Sequence, residues 1–166
     1  KPEGTKKMEV EFDVKITANI LYDYMLHHAY THIQGLLGSM VGVLMIVLFY
    51  SNRQPICLIV GVVILLYLPW AFFLKSRQQM QRTPAFKKPL HYKLTEEGIE
   101  VSQDEEVQQM AWENMYRAIS TLNSVVVYTT PVNACIFPKK DLGEQKYKVI
   151  EMISTHMPPN KVRIRG

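Results

Sequence analysis

The first element that the side-chain pattern predicts is a β-strand near the start of the chain. Between Met8 and Ile16, apolar residues alternate with charged residues at every second position. A period of two is typical of a strand with one buried face and one solvated face. A lone strand is not stable, so we expect residues 8–17 to join a sheet formed by a later part of the chain.

Two long apolar runs follow, separated by a short polar loop. Residues 33–50 and 56–74 contain no acidic or basic side chain, and neither run has a polar stripe. As helices they would each be roughly 27 to 28 Å long, close to the hydrocarbon thickness of a bilayer, about 30 Å. The pattern therefore predicts a transmembrane helical hairpin over residues 33–74. A juxtamembrane helix over residues 18–32, capped by Thr17, is predicted to lead into it.

The residues after the hairpin are mostly polar and predict a domain of short strands. Residues 75–88 are basic and are predicted to extend the second helix into the cytosol, up to Pro84. Six short runs rich in β-branched and aromatic residues, separated by turn signals, then predict an antiparallel meander. These runs are residues 91–94, 99–102, 107–112, 118–122, 125–129 and 134–137.

A C-terminal helix is predicted after the strands, from Asp141 to about Met157, followed by a basic tail over residues 158–166. The buried stripe expected of this helix is Leu142, Tyr147, Ile150 and Ile153. A sheet of short strands followed by one helix is the element order of a pleckstrin-homology-like (PH-like) fold. We therefore predict an α+β membrane protein with a cytosolic PH-like antiparallel β-sheet domain over residues 89–157.

The distribution of basic residues predicts the orientation of the hairpin. The loop between the spans has one base, Arg53, whereas Lys75, Arg77, Arg82, Lys87 and Lys88 closely follow the second span. The positive-inside rule then places both termini in the cytoplasm of a multi-pass cell-membrane protein. In that topology Cys57 lies near the outer face and Cys135 in the cytosol, so we expect no disulfide between them.

Small residues line the first span and predict close helix packing. Gly35, Gly38, Ser39 and Gly42 would lie on the first helix, and Gly38 with Gly42 forms a GxxxG pattern. Such a pattern lets two helix backbones approach closely. The second helix of the same hairpin, near Gly61, can fill this face, as can a second copy of the chain or a helix of a membrane protein partner.

Pairs of lysines are the candidate contacts with the membrane surface. Lys87 with Lys88, and Lys139 with Lys140, could hold anionic lipid headgroups, since a base near an acidic leaflet gains about 1 kcal/mol. The alternative is that they reflect the positive-inside bias and solubility. The net charge of +4 permits an anionic partner without choosing one, and we expect no nucleic acid.

The sequence lacks the common signatures of catalysis. No phosphate-binding, dinucleotide-binding, zinc-protease, hydrolase or calcium-binding motif occurs, so we expect no enzyme activity, cofactor or small-molecule substrate. The best remaining cluster is His27, His28 and His32, of which the last two could share a metal ion at i and i+4 spacing. The alternative is that these imidazoles line a helix at the headgroup level.

Two further features have a structural and a functional interpretation. Trp112 is expected to fill the core of the sheet, although it could anchor a partner. The acidic residues 104–106 are expected to form a solvated hairpin turn, although they could be a binding patch.

The chain also resembles the YcxB-like family of small bacterial membrane proteins. The residues that carry the resemblance are Tyr92-x-x-Thr95-x-x-Gly98-Ile99, Trp112-x-x-Met115, Val126 to Tyr128, and Ile136-Phe137-Pro138-Lys139-Lys140 with Leu142. The resemblance implies the same architecture and a membrane location. It implies no biochemical activity.

These observations favour a non-catalytic integral membrane protein whose cytosolic domain binds another protein, as a subunit or regulator of a larger membrane assembly. Sheet edges that can accept an extended peptide support this interpretation. One alternative is a sensor of anionic lipid headgroups at the cytoplasmic membrane. The other is a membrane enzyme with a histidine-ligated metal. The expected partners are the lipid bilayer and either a membrane protein or further copies of the chain.

Overall fold

The computed structural model describes residues 7–164 and has an α+β fold with two apolar helices and two β-sheets. The chain divides into two compact units. The β-rich unit contains the residues up to Ile20 and those from Thr83 onward, and the helical unit is Leu21–Arg82. The helical unit is thus an insertion between the first strand and the rest of the β-rich unit.

Three helices lead into and build the helical unit. They are α1 (Ala18–Thr31), α2 (Ile33–Asn52) and α3 (Pro55–Arg82). Helices α2 and α3 are long and apolar enough to cross a membrane. Arg53 closes α2 with a left-handed φ of 57°, and its N–H donates to the carbonyl of Phe49 at 2.7 Å. Helix α3 extends past the apolar run through its basic residues before a 3-10 turn at Pro84–Phe86.

The first four-stranded sheet joins the start of the chain to the residues after the hairpin. Its strands, in spatial order, are β1 (Val10–Val14), β2 (Leu90–Leu94), β3 (Gly98–Gln103) and β4 (Glu106–Ala111), all antiparallel. Phe12 lies opposite Tyr92, and Val14 lies opposite Leu90. The pairing that the alternating pattern predicts for the first strand is therefore present.

A second four-stranded sheet follows in the chain. Its strands, in spatial order, are β7 (Ala134–Pro138), β6 (Ser124–Tyr128), β5 (Arg117–Ser120) and β8 (Val162–Arg163). The prediction of one continuous meander is wrong, because β4 and β5 do not pair. Trp112 starts a 3-10 turn instead of extending β4, and its buried indole Nε1 donates to the carbonyl of Thr95 at 2.8 Å. Burying this large ring turns the chain out of the first sheet.

The predicted C-terminal helix is divided in two. Helix α4 (Lys139–Leu142) and helix α5 (Lys146–His156) are separated by a 3-10 turn that starts at Gly143. Gly143 has a φ of 50°, which glycine adopts without a steric cost. The carboxylate of Asp141 does not cap a long helix, and it accepts the backbone N–H of Lys15 at 3.1 Å.

The break also changes which helix residues are buried. Leu142 and Ile153 are buried as predicted, but Tyr147 is exposed and Ile150 only half-buried. Val149 and Met152 take their places in the core. The predicted stripe assumed one uninterrupted helix, and the turn at Gly143 resets the helical phase after it.

The predicted basic tail is partly a strand. Residues 162–163 form β8, which runs parallel to β5. Lys161 beside it donates from Nζ to the carbonyl of Met115 at 3.1 Å. Arg165, assigned to the same tail, lies outside the described residues.

The core of the β-rich unit combines residues of both sheets and α5. An aromatic cluster lies at its centre, where the Phe137 ring makes edge contacts with Phe12 and Tyr92 at centroid distances of 5.2 and 4.9 Å. Further residues that are fully or almost fully buried are Val14, Leu94, Ile99, Met115, Val125, Val126, Val127, Tyr128, Val149, Met152 and Ile153. The strand that precedes the hairpin and the chain that follows it therefore share one core.

Candidate functional site

The small residues of α2 pack within the hairpin. A Cβ added to Gly42 would lie 3.3 Å from the carbonyl oxygen of Gly61, and one added to Gly61 would lie 2.8 Å from the carbonyl oxygen of Gly42. The two backbones meet where neither helix has a side chain, which is the packing that such residues favour. Gly38 is less crowded, with Leu68 Cδ1 at 3.8 Å from its Cβ position.

The other two small residues make contacts close to the start of α2. Ser39 Oγ donates to the carbonyl of Gly35 at 3.0 Å, so its hydroxyl is satisfied within its own helix. A Cβ on Gly35 would collide with the carbonyl of Ala29 in α1. Gly35, Ser39 and Gly42 therefore each have a contact inside the helical unit that favours a small side chain.

The three histidines lie at the end of α1: His27 and His28 are in its last turns, and His32 follows it. The backbone of His32 is extended, so the helix is interrupted there. His32 Nδ1 donates to the carbonyl of His28 at 2.7 Å, and Thr31 Oγ1 donates to the carbonyl of His27 at 2.9 Å. These side chains therefore form hydrogen bonds with backbone carbonyls in the last turns of α1. Among residues 7–164, no group of three or more His, Cys, Asp and Glu is placed to hold a metal ion.

The four candidate lysines have different environments. Lys139 is half-buried, and its Nζ donates to the carbonyl of Thr121 at 2.8 Å. Lys88 pairs with Asp104 at 2.7 Å at the surface. Lys87 and Lys140 are exposed. In each pair, one lysine is bound to another group of the protein and the other is exposed. Neither pair is therefore a patch of two free positive charges.

The buried thiol of Cys135 is not an activated nucleophile. Burial raises the pKa of Cys135 to about 11, and a hydrogen bond from Tyr92 offsets part of this shift. Burial also raises the pKa of the Tyr92 phenol. A reactive cysteine needs a lowered pKa and access to solvent, and this one has neither.

Among residues 7–164, no strand pairs with the outer side of β4, so β4 is an open edge of the first sheet. It pairs with β3 on one side, and none of its residues is buried. Val107 is 56% exposed, and Gln108, Gln109 and Ala111 are also exposed. An edge strand carries a row of main-chain groups that can pair with another chain. Strand β4 is therefore the candidate interaction site of the β-rich unit.

The charges on the first sheet are distributed unevenly. The outer face, defined as the side that bears Glu11, Lys93 and Glu100, starts with carboxylates on β1 that are paired with bases on β2. Lys93 Nζ lies 3.1 Å from Glu11, and His91 Nδ1 lies 2.8 Å from Asp13. Hydrogen bonds to the carboxylates of Glu11 and then Glu9 raise the pKa of Lys93. Toward β4 the carboxylate partner is no longer a base, because Glu100 on β3 accepts a hydrogen bond from the neutral amide of Gln109 at 2.9 Å.

The open edge of β4 is not predicted by the run over residues 107–112, which predicts one strand of a meander. The signal was present: residues 106–111 read Glu-Val-Gln-Gln-Met-Ala, with polar residues on both faces of the strand. A strand that packs on a core has one apolar face, so polar residues on both faces indicate an edge that lies beyond the core. The acidic turn that precedes β4 is exposed as expected, and Trp112 after it is buried as expected.

Comparison with known proteins gives one match. Neither the curated proteins nor the solved structures contain a match to the chain. The model of the family described as YcxB-like protein matches residues 94–153, from the end of β2 to α5. This stretch includes β4 and most of the motifs that carry the resemblance. The predicted resemblance is confirmed, and residues 94–153 form a YcxB-like segment.

Proposed function

We propose that this protein is a non-catalytic integral membrane protein. Its cytosolic PH-like domain binds another protein, and the whole chain acts as a subunit or regulator of a larger membrane assembly. The observation that carries the proposal is the open edge of β4 in a folded unit that is covalently attached to two apolar helices. An exposed edge can add an extended segment of a partner through main-chain hydrogen bonds.

The membrane location is supported by the surfaces of α2 and α3. The most apolar windows of these helices are 11% and 6% buried, so most of their side chains have no cover within the described residues. A core helix of a soluble protein is mostly buried, whereas a spanning helix places its apolar side chains in lipid. Residues such as Ile33, Leu44, Ile59 and Leu66 are all more than half exposed.

The orientation follows from the five bases after the second span against one in the loop. A cysteine at Asn52, in a background with Cys57→Ser and Cys135→Ser, should react with a membrane-impermeant maleimide in intact cells. A cysteine at Asp104 should react only after the membrane is opened. The reverse labelling pattern would contradict the cytosolic location of both termini.

The PH-like assignment is supported by the arrangement of the β-rich unit. Seven strands in two sheets precede α5, whose buried face contributes to the same core, and the short strand β8 follows it. The assignment agrees with the element order expected from the sequence. Helix α5 covers part of the core of the β-rich unit. Strand β4 has no buried residue, so it is not among the strands that form this core.

Site-specific photo-crosslinking tests the proposed function in the full-length protein. A photoreactive amino acid at Val107, in the edge strand β4, should give a discrete adduct with one protein in membranes. The matched control is the same amino acid at Glu151, an exposed position on α5. Equal adducts at both positions, or none at either, would contradict binding at β4.

A second candidate function is contact with anionic lipid headgroups. It is favoured by Leu122, which is 87% exposed in the β5–β6 turn, and by exposed Lys140. An apolar tip with nearby lysines is suited to a membrane interface. A polarity-sensitive fluorophore at position 122 of the full-length protein in nanodiscs should shift to the blue when anionic lipid is added. An unchanged spectrum would contradict this candidate.

A further inference from the structure

The geometry of the β3–β4 hairpin defines which main-chain groups of β4 are available. Gln103 and Glu106 lie opposite each other and are joined by a turn of two residues, Asp104 and Glu105. In such hairpins the pair that flanks the turn exchanges both hydrogen bonds, and the bonding direction alternates along the strand. Glu106 and Gln108 therefore point their peptide groups toward β3. The peptide groups of Val107, Gln109 and Ala111 point away from it.

The other edges of the two sheets are less accessible. Strand β8 contains two residues. Strand β7 is buried at four of its five positions. Near the end of β1, the N–H of Lys15 is bonded to Asp141 of α4, and α4 packs on β1. Strand β4 thus offers the accessible edge, with outward peptide groups at three alternate residues.

A groove beside this edge has an excess of carboxylates. Its volume is about 540 Å³, and its ionisable lining residues are Glu9, Glu97, Glu100 and Lys93. Lys93 is already paired with Glu9 at 3.3 Å and with Glu11 at 3.1 Å. Within residues 7–164, no base forms an ion pair with Glu97 or Glu100. The groove therefore has uncompensated negative charge in a chain whose net charge is +4.

We infer that β4 binds an extended segment of a partner protein that carries lysine or arginine at alternate positions. The segment adds as a fifth strand through the outward peptide groups of Val107, Gln109 and Ala111. Its cationic side chains lie over Gln109 and reach Glu100 and Glu97. This inference rests on the proposed function, and it specifies the partner by its chemistry.

Charge complementarity selects this occupant over two others. A second copy of the chain, paired through its own β4, would add the strand Glu-Val-Gln-Gln-Met-Ala, which has no base to pair with Glu97 or Glu100 and brings a further carboxylate. An anionic lipid headgroup would be repelled by the carboxylates of the groove. A basic strand would be attracted instead. Glu100 lies on β3, two strand spacings of about 4.8 Å each from the added strand. A long cationic side chain can cross the first spacing, and Glu100, bonded to Gln109 at 2.9 Å, extends toward it across the second.

Selection from random peptides tests the inference with the full-length protein in detergent micelles. A phage library of random nonapeptides should yield sequences with lysine or arginine at alternate positions. The strongest selected peptide, made synthetically, is then the probe for fluorescence anisotropy. Selected sequences that are acidic or free of bases would overturn the inference.

Variants of β4 then test where the probe binds. Gln109→Pro removes an outward N–H, so it should weaken probe binding about tenfold or more. Gln109→Lys keeps the N–H and adds a positive charge that repels the cationic probe, so it should also lower the affinity for the probe. This variant tests the site even if Gln109→Pro does not fold. Glu100→Gln should weaken binding and reduce its salt dependence. Glu151→Gln, a matched loss of one carboxylate on α5, should leave binding unchanged.

Each result has a defined meaning. Equal probe affinity in the Gln109 and Glu151 variants would overturn the inference. Suppose that the probe binds equally to the Gln109 and Glu151 variants while crosslinking at Val107 still captures a protein. The proposed function then stands, and the inference that the partner segment is basic is wrong. If neither the probe nor the crosslink depends on β4, both the inference and the proposed function are wrong.

Discussion

Strands β4 and β6 lie in the same unit and are nearly equal in length, but their environments are opposite. Every residue of β6 is buried, whereas no residue of β4 is. Strand β6 is paired on both sides, with β7 and β5, and β4 is paired on one side. The sequence Ser-Val-Val-Val-Tyr is mostly apolar on both faces, whereas Glu-Val-Gln-Gln-Met-Ala has at least one polar residue on each face.

The comparison separates two roles of a strand in this protein. Strand β6 contributes buried apolar area and a full set of ladder hydrogen bonds, so it stabilises the unit. Strand β4 contributes little burial and leaves part of its main chain accessible, so it is available to a partner. Substitutions in β6 should therefore act on stability, and those in β4 on binding.

The largest expected effect is a buried charge in β6. Val126 is fully buried, so Val126→Asp should lower the free energy of unfolding by about 4 kcal/mol or more. Val107→Asp in β4 should lower it by about 1 kcal/mol or less. The measurement is guanidinium unfolding of the full-length protein in micelles, with Trp70→Phe so that the fluorescence reports Trp112. Equal losses would contradict the comparison.

A pair of proline variants tests the hydrogen-bond pattern within β4. Gln108 faces Val101 across the ladder, and its N–H points toward β3. Gln108→Pro should therefore lower the free energy of unfolding by about 2 kcal/mol or more. Gln109→Pro, whose lost N–H points outward, should cost about 1 kcal/mol or less. If the order is reversed, the assignment of outward groups is wrong.

The pH dependence of stability tests the buried environment next to β6. Cys135 lies opposite Val127 of β6, and burial raises its pKa from 9.0 to about 11. Between these values the unfolded chain loses the thiol proton and the folded chain keeps it, so stability falls as pH rises from about 9 to 11. The slope should approach about 1.4 kcal/mol per pH unit for this group.

The control for this prediction is Cys135→Ser, which keeps a hydroxyl beside Tyr92 but does not titrate in this range. Urea unfolding at a series of pH values should give a smaller slope for the variant. Its stability still falls at the upper end of the range, because burial also raises the pKa of Tyr92. Identical slopes would show that the thiol does not contribute.

The smallest expected effect distinguishes the two adjacent lysines. Lys139 donates to the carbonyl of Thr121 in the turn that leads into β6, so Lys139→Met should cost about 1 kcal/mol. Lys140 is exposed, and Lys140→Met should change stability by less than about 0.5 kcal/mol. The same unfolding assay measures both, and equal effects would contradict a structural role for Lys139.

Several elements could be predicted from local patterns. The alternation over Met8 to Ile16 identified a strand with one buried face, and the structure pairs it with β2. The apolar runs identified two long helices, and Gly42 meets Gly61 between them as one of the predicted alternatives. These predictions succeeded because periodicity and side-chain size act within a few residues or within one hairpin.

Other features depended on distant contacts and could not be predicted. Trp112 leaves β4 because its indole reaches Thr95, and Asp141 is used by Lys15 across the unit rather than as a helix cap. The pairing of residues 162–163 with β5 likewise joins parts of the chain that are far apart in sequence. A local pattern contains no information on which of these competing partners is closer in the fold.

The sequence by itself determined the α+β class, the two long apolar helices, the approximate positions of β1 to β7 and the YcxB-like segment, because hydrophobic periodicity and short motifs are local properties. The tertiary structure decided which strand is an edge, which lysine is held by the fold and which carboxylates remain unpaired. These properties depend on the order of strands in a sheet and on the neighbours that this order supplies. The candidate site at β4 exists because no strand of this chain lies beyond it among the described residues.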